Sequence, residues 1–169
     1  SDLLPAFCEY HRYDLGIQVF LLGAASGVAD KARRRINKRI GREIVVKAHS
    51  PTFGFEKDPD ECQRIIQLIN ETEANVLAIG VGAPKQEKWL ARYFDLLPNV
   101  KMAMAIGATL DFEAGSLKRA PQYMQRCGME WLYRLVKEPK RLWKRYLVED
   151  VLIMRLLLME IFGFYRRPF

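Results

Sequence analysis

The residues best suited to chemistry fall in one short run, Gly80-Val81-Gly82-Ala83-Pro84-Lys85-Gln86-Glu87-Lys88. Two glycines let a ligand approach the main chain, and proline suits the first turn of a helix whose free amides attract an anion. Lys85 adds a charge and Gln86 an amide, so Gly82, Lys85 and Gln86 are candidates to hold a diphosphate or sugar hydroxyls. Lys and Gln are also ordinary first-turn residues, and that plainer reading stands beside it. A second run, Gly107-Ala108-Thr109-Leu110-Asp111-Phe112, brings a carboxylate. Asp111 suits a ribose, a uracil N–H or an acceptor hydroxyl, or simply the cap of a turn. In His49-Ser50-Pro51-Thr52-Phe53-Gly54-Phe55 the rings of Phe53 and Phe55 suit stacking on a base or sugar, or anchoring of the loop to the core. Leu22-Gly23-Ala24-Ala25-Ser26-Gly27-Val28 reads as a turn in which Gly23 contacts phosphate, or as a tight connection without a ligand. The glycines at 23 and 27 do not fit G-x-G-x-x-G, which argues against a nicotinamide oxidoreductase.

Asp58-Pro59-Asp60 has a D-x-D spacing that elsewhere holds a metal-bound diphosphate, but here every residue also fits a helix start. Asp58 is a natural N-cap, Pro59 suits the first helical position, and Asp60 and Glu61 complement the helix dipole. We expect a cap and no metal. His11 and His49 stand far apart, and Cys8, Cys62 and Cys127 are odd in number without a C-x-x-C, so they read as free thiols in a reducing compartment. No cofactor is expected.

These residues need elements to hold them. Runs at residues 17 to 22, 43 to 48, 75 to 81 and 100 to 106 are apolar or β-branched and read as strands. Between them, residues 27 to 40, 59 to 72 and 84 to 96 read as helices, and a leading helix spans about 2 to 14. Strand and helix alternate, and the strands are near-continuously apolar. That pattern predicts an α/β, Rossmann-like parallel sheet with right-handed crossovers and helices on both faces. In such sheets ligands sit at the carboxyl ends of the strands, where all four runs above fall.

After residue 106 the pattern changes to a glycine-bearing loop, a basic proline-containing stretch and two helices separated at Glu138-Pro139. We divide the chain into a core, residues 1–127, and a C-terminal helical appendage, residues 128–169. Leu147, Val151, Met154, Leu158, Ile161 and Tyr165 form an apolar stripe interrupted by Glu149, Asp150, Arg155 and Glu160, so the last helix is amphipathic and no bilayer span. Of the 169 residues, half are apolar and the formal charge is +7. Residues 118 to 145 hold nine basic side chains against Glu130 and Glu138, an excess equal to that of the whole chain. One basic surface facing a membrane or a polyphosphate is expected. The opening Ser-Asp-Leu-Leu-Pro has neither initiator Met nor signal peptide and reads as a start within a longer protein.

Four motifs in register, Gly82 to Glu87, Ala108 to Gly115, Lys118 to Pro121, and Gly128 to Leu135 followed by Glu138 to Arg141, resemble the WecG/TagA/CpsF glycosyltransferases over residues 1 to 147. The resemblance implies an inverting, metal-independent transfer of an N-acetylmannosamine-type sugar from a UDP donor to a polyprenyl-diphosphate-linked N-acetylglucosamine. It implies a cytoplasmic protein, peripheral on the inner face of the plasma membrane, in cell-surface polysaccharide synthesis. By the same resemblance Gln86 and Asp111 fall on pocket residues, and Arg134 and Arg141 on arginines that close over the donor diphosphate. A third such arginine is Lys144 here, which weakens a bidentate clamp. The family's general-base aspartate would lie upstream of Ser1, so no base is named. Partners expected are the UDP-sugar, the lipid-linked acceptor, an anionic membrane and, through the tail, a second copy in a homo-oligomer. Nucleic acid is not among them, because the apolar tail fits membranes better. The rival reading is a non-catalytic nucleotide-binding Rossmann-like module with a membrane- or partner-binding tail.

Overall fold

Side chains alternate across two buried strands, and that alternation sets the layers. The computed structural model describes residues 2–117, 120, 121, 124, 127, 130–137 and 139. The chain divides into two compact units, Ser1–Lys118 and Arg119–Phe169. In the first unit β1 (Val19–Gly23), β2 (Val45–His49), β3 (Val76–Gly80) and β4 (Met102–Ala105) form one sheet in the order β2-β1-β3-β4. Every pairing is parallel, with Val19 opposite Val45 and Val76, and Gly23 opposite Gly80. The α/β parallel architecture is the one the alternating pattern predicts.

Val19 and Leu21 of β1, with Val76 and Ala78 of β3, point to one face, and Phe20 and Leu22, with Leu77 and Ile79, point to the other. On the first face lie α1 (Leu3–Tyr10) and α2 (Val28–Ile40), which bury Leu4, Cys8, Ala32, Ile36 and Ile40. On the second lie α3 (Pro59–Asn70) and α4 (Lys85–Tyr93), burying Cys62, Ile65, Ile66, Ile69, Trp89 and Tyr93. The central strands are covered on both sides, which is why they carry no polar alternation. The edge strands are more open: only Val45 of β2 and Met104 of β4 are buried. Asn37 of α2 closes part of the β2 edge, giving its Nδ2 to Val45 O and taking Val45 N on Oδ1, both at 2.9 Å.

Element ends depart from the sequence expectation where distant groups intervene. The leading helix stops at Tyr10, short of residue 14, because Arg42 gathers the carbonyls of His11, Arg12 and Asp14 at 2.9, 2.7 and 2.6 Å. The segment 84 to 96 forms α4 and then a separate 3-10 turn, Phe94–Leu96. The expected loop after β4 contains a five-residue helix, α5 (Thr109–Glu113). Five residues are too few to show a helical period, and what holds the helix is burial of Leu110 and Ala114 in the core beside α2.

In the second unit α6 (Glu130–Lys137) is described, with Lys137 Nζ 5.9 Å from the Tyr133 ring centroid. The amphipathic stripe from Leu147 to Tyr165 lies outside the described residues. No helix among the described residues is long and apolar enough to cross a membrane.

Candidate functional site

From β1 the chain steps outward to β2, then returns across the sheet to β3 and β4, so the direction of winding reverses between β1 and β3. Ligands of open parallel sheets enter at such a reversal, at the carboxyl ends of the strands. Here three glycines, Gly23, Gly80 and Gly107, meet. A Cβ at Gly23 would lie 2.5 Å from Gly80 O, and one at Gly80 2.5 Å from Gly107 O. Ala24 N also donates to Gly80 O at 3.3 Å. Gly23, with φ +131°, is therefore required by backbone packing between adjacent loops, the plainer of its two readings. Ser50, from the loop after β2, pins the same turn through its hydroxyl, which donates to Gly23 O at 3.2 Å and Ala25 O at 2.9 Å.

Gly82 differs. Its φ is +90°, and nothing lies within 4 Å of where a Cβ would stand, so the main chain between β3 and α4 is open to approach. The Ala83–Pro84 peptide that follows is cis. Gln86 N donates to Gly82 O at 3.1 Å, and the Gln86 side chain is buried, 5% exposed, within the first turn of α4. Its Nε2 donates to Glu87 Oε1 at 2.8 Å, while its Oε1 has no partner among the described residues. Trp89 Nε1, one turn along the same helix, is also buried with no partner among the described residues. Buried polar atoms are nearly always bonded, so an acceptor and a donor left over at one helix start mark a place where a polar ligand or water belongs.

The two phenylalanines of the loop after β2 part company. Phe55 is 2% exposed and its ring centroid is 6.3 Å from that of Trp89, so it anchors the loop. Phe53 is fully exposed at the loop tip. Lys85 Nζ lies 4.7 Å from its ring centroid and 2.8 Å from Glu56 Oε1. Lys85 thus bridges the start of α4 to this loop, and its ammonium holds the Glu56 carboxyl below the ordinary 4.5. Glu61 of α3 steadies the loop from below by accepting from the Thr52 amide at 2.9 Å and from its hydroxyl. Asp58 caps α3, taking Asp60 N at 3.0 Å and Glu61 N at 3.2 Å, as the spacing predicts. His49, at the end of β2, is held below its ordinary 6.5 by burial, against the opposing pull of Glu61.

Asp111 sits in α5, the element that follows β4, so it and Gln86 stand on neighbouring strand-end connections. Its carbonyl accepts Ser116 N at 2.9 Å and Leu117 N at 3.2 Å, which folds the chain back at the end of this unit. Phe53, Gly82, Lys85, Gln86 and Asp111 all lie at the carboxyl edge of the sheet, and Phe53 and Lys85 are in contact. Arg134 is in α6, and Arg141 and Lys144 lie outside the described residues. Ser50 and Glu56 were not singled out from the sequence, and Glu61 was read only as a complement to the helix dipole, because each acts on a residue that only the fold brings near.

The sequence model of the Glycosyl transferase WecG/TagA/CpsF family matches residues 1–167.

Proposed function

The chain belongs to the WecG/TagA/CpsF family of glycosyltransferases, and from that premise we propose that the carboxyl edge of its sheet binds the nucleotide-sugar donor. Membership makes it a glycosyltransferase of cell-surface polysaccharide synthesis, a class that transfers a sugar from a sugar nucleotide to a lipid-linked acceptor and releases the nucleotide. The finer reading is an inverting, metal-independent transfer of an N-acetylmannosamine-type sugar from UDP to a polyprenyl-diphosphate-linked N-acetylglucosamine. The diphosphate lies at the amino end of α4, against the open backbone at Gly82, with the Lys85 ammonium beside it. Gln86 offers its carbonyl oxygen to a sugar hydroxyl or the uracil, and Asp111 accepts from the ribose or the acceptor. Phe53 stacks on the base or the sugar.

As the bond from the anomeric carbon to phosphate breaks, negative charge builds on the leaving UDP. Without a metal that charge needs fixed donors, which the free amides of α4 and Lys85 supply. The sequence of residues 128–169 is basic, and its charge suits the anionic inner face of a membrane, where the acceptor lipid is held.

The observation that carries this reading is the buried Oε1 of Gln86 at the start of α4, which has no partner among the described residues. Calorimetric titration with UDP and with NAD in the presence of a chelator tests it. UDP binds and NAD does not, and Gln86→Ala weakens UDP about tenfold, the worth of one good hydrogen bond. Equal binding of both nucleotides, or UDP binding that needs a divalent ion, overturns it.

A further inference from the structure

We infer that the exposed face of α2 is a docking surface for an anionic lipid bilayer, separate from the C-terminal basic segment. Along this helix Ala29, Ala32, Ile36 and Ile40 are buried, and the opposite stripe is Lys31, Arg34, Arg35, Lys38 and Arg39. All five are exposed and all are basic. Residues four apart share one side of a helix, so Lys31 repels Arg35, Arg34 repels Lys38, and Arg35 repels Arg39. A face that is merely solvated mixes signs and avoids these penalties. Neutralisation is partial: Asp30 takes Arg33 at 3.0 Å and Arg34 at 2.9 Å, and Glu113 takes Arg39 at 2.8 Å. Arg35 donates to Ala114 O at 3.0 Å, and Lys31 and Lys38 make no ion pair among the described residues.

A second feature names the partner. The turn after α1 is tied to the carboxyl end of α2, with Arg12 Nη2 donating to Arg39 O at 3.2 Å and Arg42 to Arg12 O at 2.7 Å. From the last residue of α1 and that turn, Tyr10, Tyr13 and Leu15 project with 85, 88 and 78% exposure. Two of the acidic residues around them are engaged locally, Glu9 by Arg12 at 3.0 Å and Asp14 by His11 at 3.2 Å, leaving Glu43 just beyond the helix. Basic side chains beside exposed tyrosines and a leucine suit the headgroup level of a bilayer, where rings and aliphatic stems enter and charges meet phosphates. A nucleic-acid backbone would use the charges but not the leucine. Because the acceptor of this family is lipid-linked, a second contact would hold the enzyme where that substrate lies.

The test is co-sedimentation of the full chain with phosphatidylglycerol-containing and with pure phosphatidylcholine vesicles, comparing the wild type with Lys31→Gln/Arg34→Gln/Lys38→Gln. Each basic residue near an anionic surface contributes about fivefold in partition, so the triple variant should bind the anionic vesicles roughly a hundredfold more weakly. A Tyr10→Ser/Tyr13→Ser variant should lose the part of binding that persists at high salt, where charge is screened. Unaltered UDP affinity and melting in both variants would keep this result apart from the donor-site reading and from misfolding. Wild-type vesicle binding by the triple variant overturns the inference. So does loss of duplex DNA binding with vesicle binding intact, which would assign the stripe to nucleic acid.

Discussion

At Gln86 the proposed donor contact and the stability of the fold pull in opposite directions. An acceptor atom buried without a partner costs about 1–3 kcal/mol. The lost Nε2 bond to Glu87 is partly exposed and worth less. Gln86→Leu should therefore raise the unfolding free energy by about 1 kcal/mol in urea titration while UDP affinity falls. A loss of both would make Gln86 an ordinary core residue. Two ionisable groups near the same site give a pH signature. The folded-state values of both Glu56 and His49 lie below their ordinary 4.5 and 6.5, so the unfolded chain takes up protons first as pH falls. Stability should decline below 6.5 as His49 is forced to charge in its burial site, and again below 4.5 as the Glu56–Lys85 pair is lost. The second step should be small, because Lys85 is 39% exposed and its pair is screened. Urea midpoints of His49→Asn and Glu56→Gln across this range should each flatten one step. Phe53, Lys85 and Gln86 were legible as candidates from their types alone, but Glu56 was not, since nothing local marks its pairing with a residue in a different helix.

At the scale of elements, the two glycine-bearing turns carry different burdens. Gly23→Ala meets Gly80 O and a left-handed backbone together, and should destabilise by about 3 kcal/mol or abolish folding. Gly82→Ala meets only the backbone cost, about 1 kcal/mol, because the space around it is open. The second variant should fold and show weaker UDP binding, whereas the first should be lost to thermal denaturation before binding can be measured. Strands and longer helices were readable because their periods repeat over enough residues to stand out, as in Ile65, Ile66 and Ile69 of α3. α5 was not, and α1 was read too long, because a short helix and a helix end are decided by tertiary partners, Leu110 in a core and Arg42 on three carbonyls.

For the molecule as a whole, the sheet separates two cores, and each contains one thiol. Cys8 packs with α2 on one face, where burial pushes its thiol up to about 11, and Cys62 of α3 packs in the core of the other. Cys127 is exposed. One thiol of the three should react quickly with a disulfide reagent in the native protein, and the other two only on global unfolding. Fast reaction at Cys62 alone would mean that the α3 and α4 layer opens independently of the rest. The charge also looks different at this scale. Outside residues 118 to 145 the chain is neutral in sum, yet folding sorts its charges so that one face of α2 is uniformly basic. The class of fold, the order of elements and the helix cap at Asp58 were all determined by the sequence, through patterns that neighbouring residues complete among themselves. Only the tertiary structure decided that Phe55 turns inward and Phe53 outward, that Gly23 is held by a neighbouring turn while Gly82 stays open, and that Gln86 keeps an acceptor unsatisfied. Each of these depends on groups brought together across parallel strands by long crossovers, and no local pattern encodes such a distance.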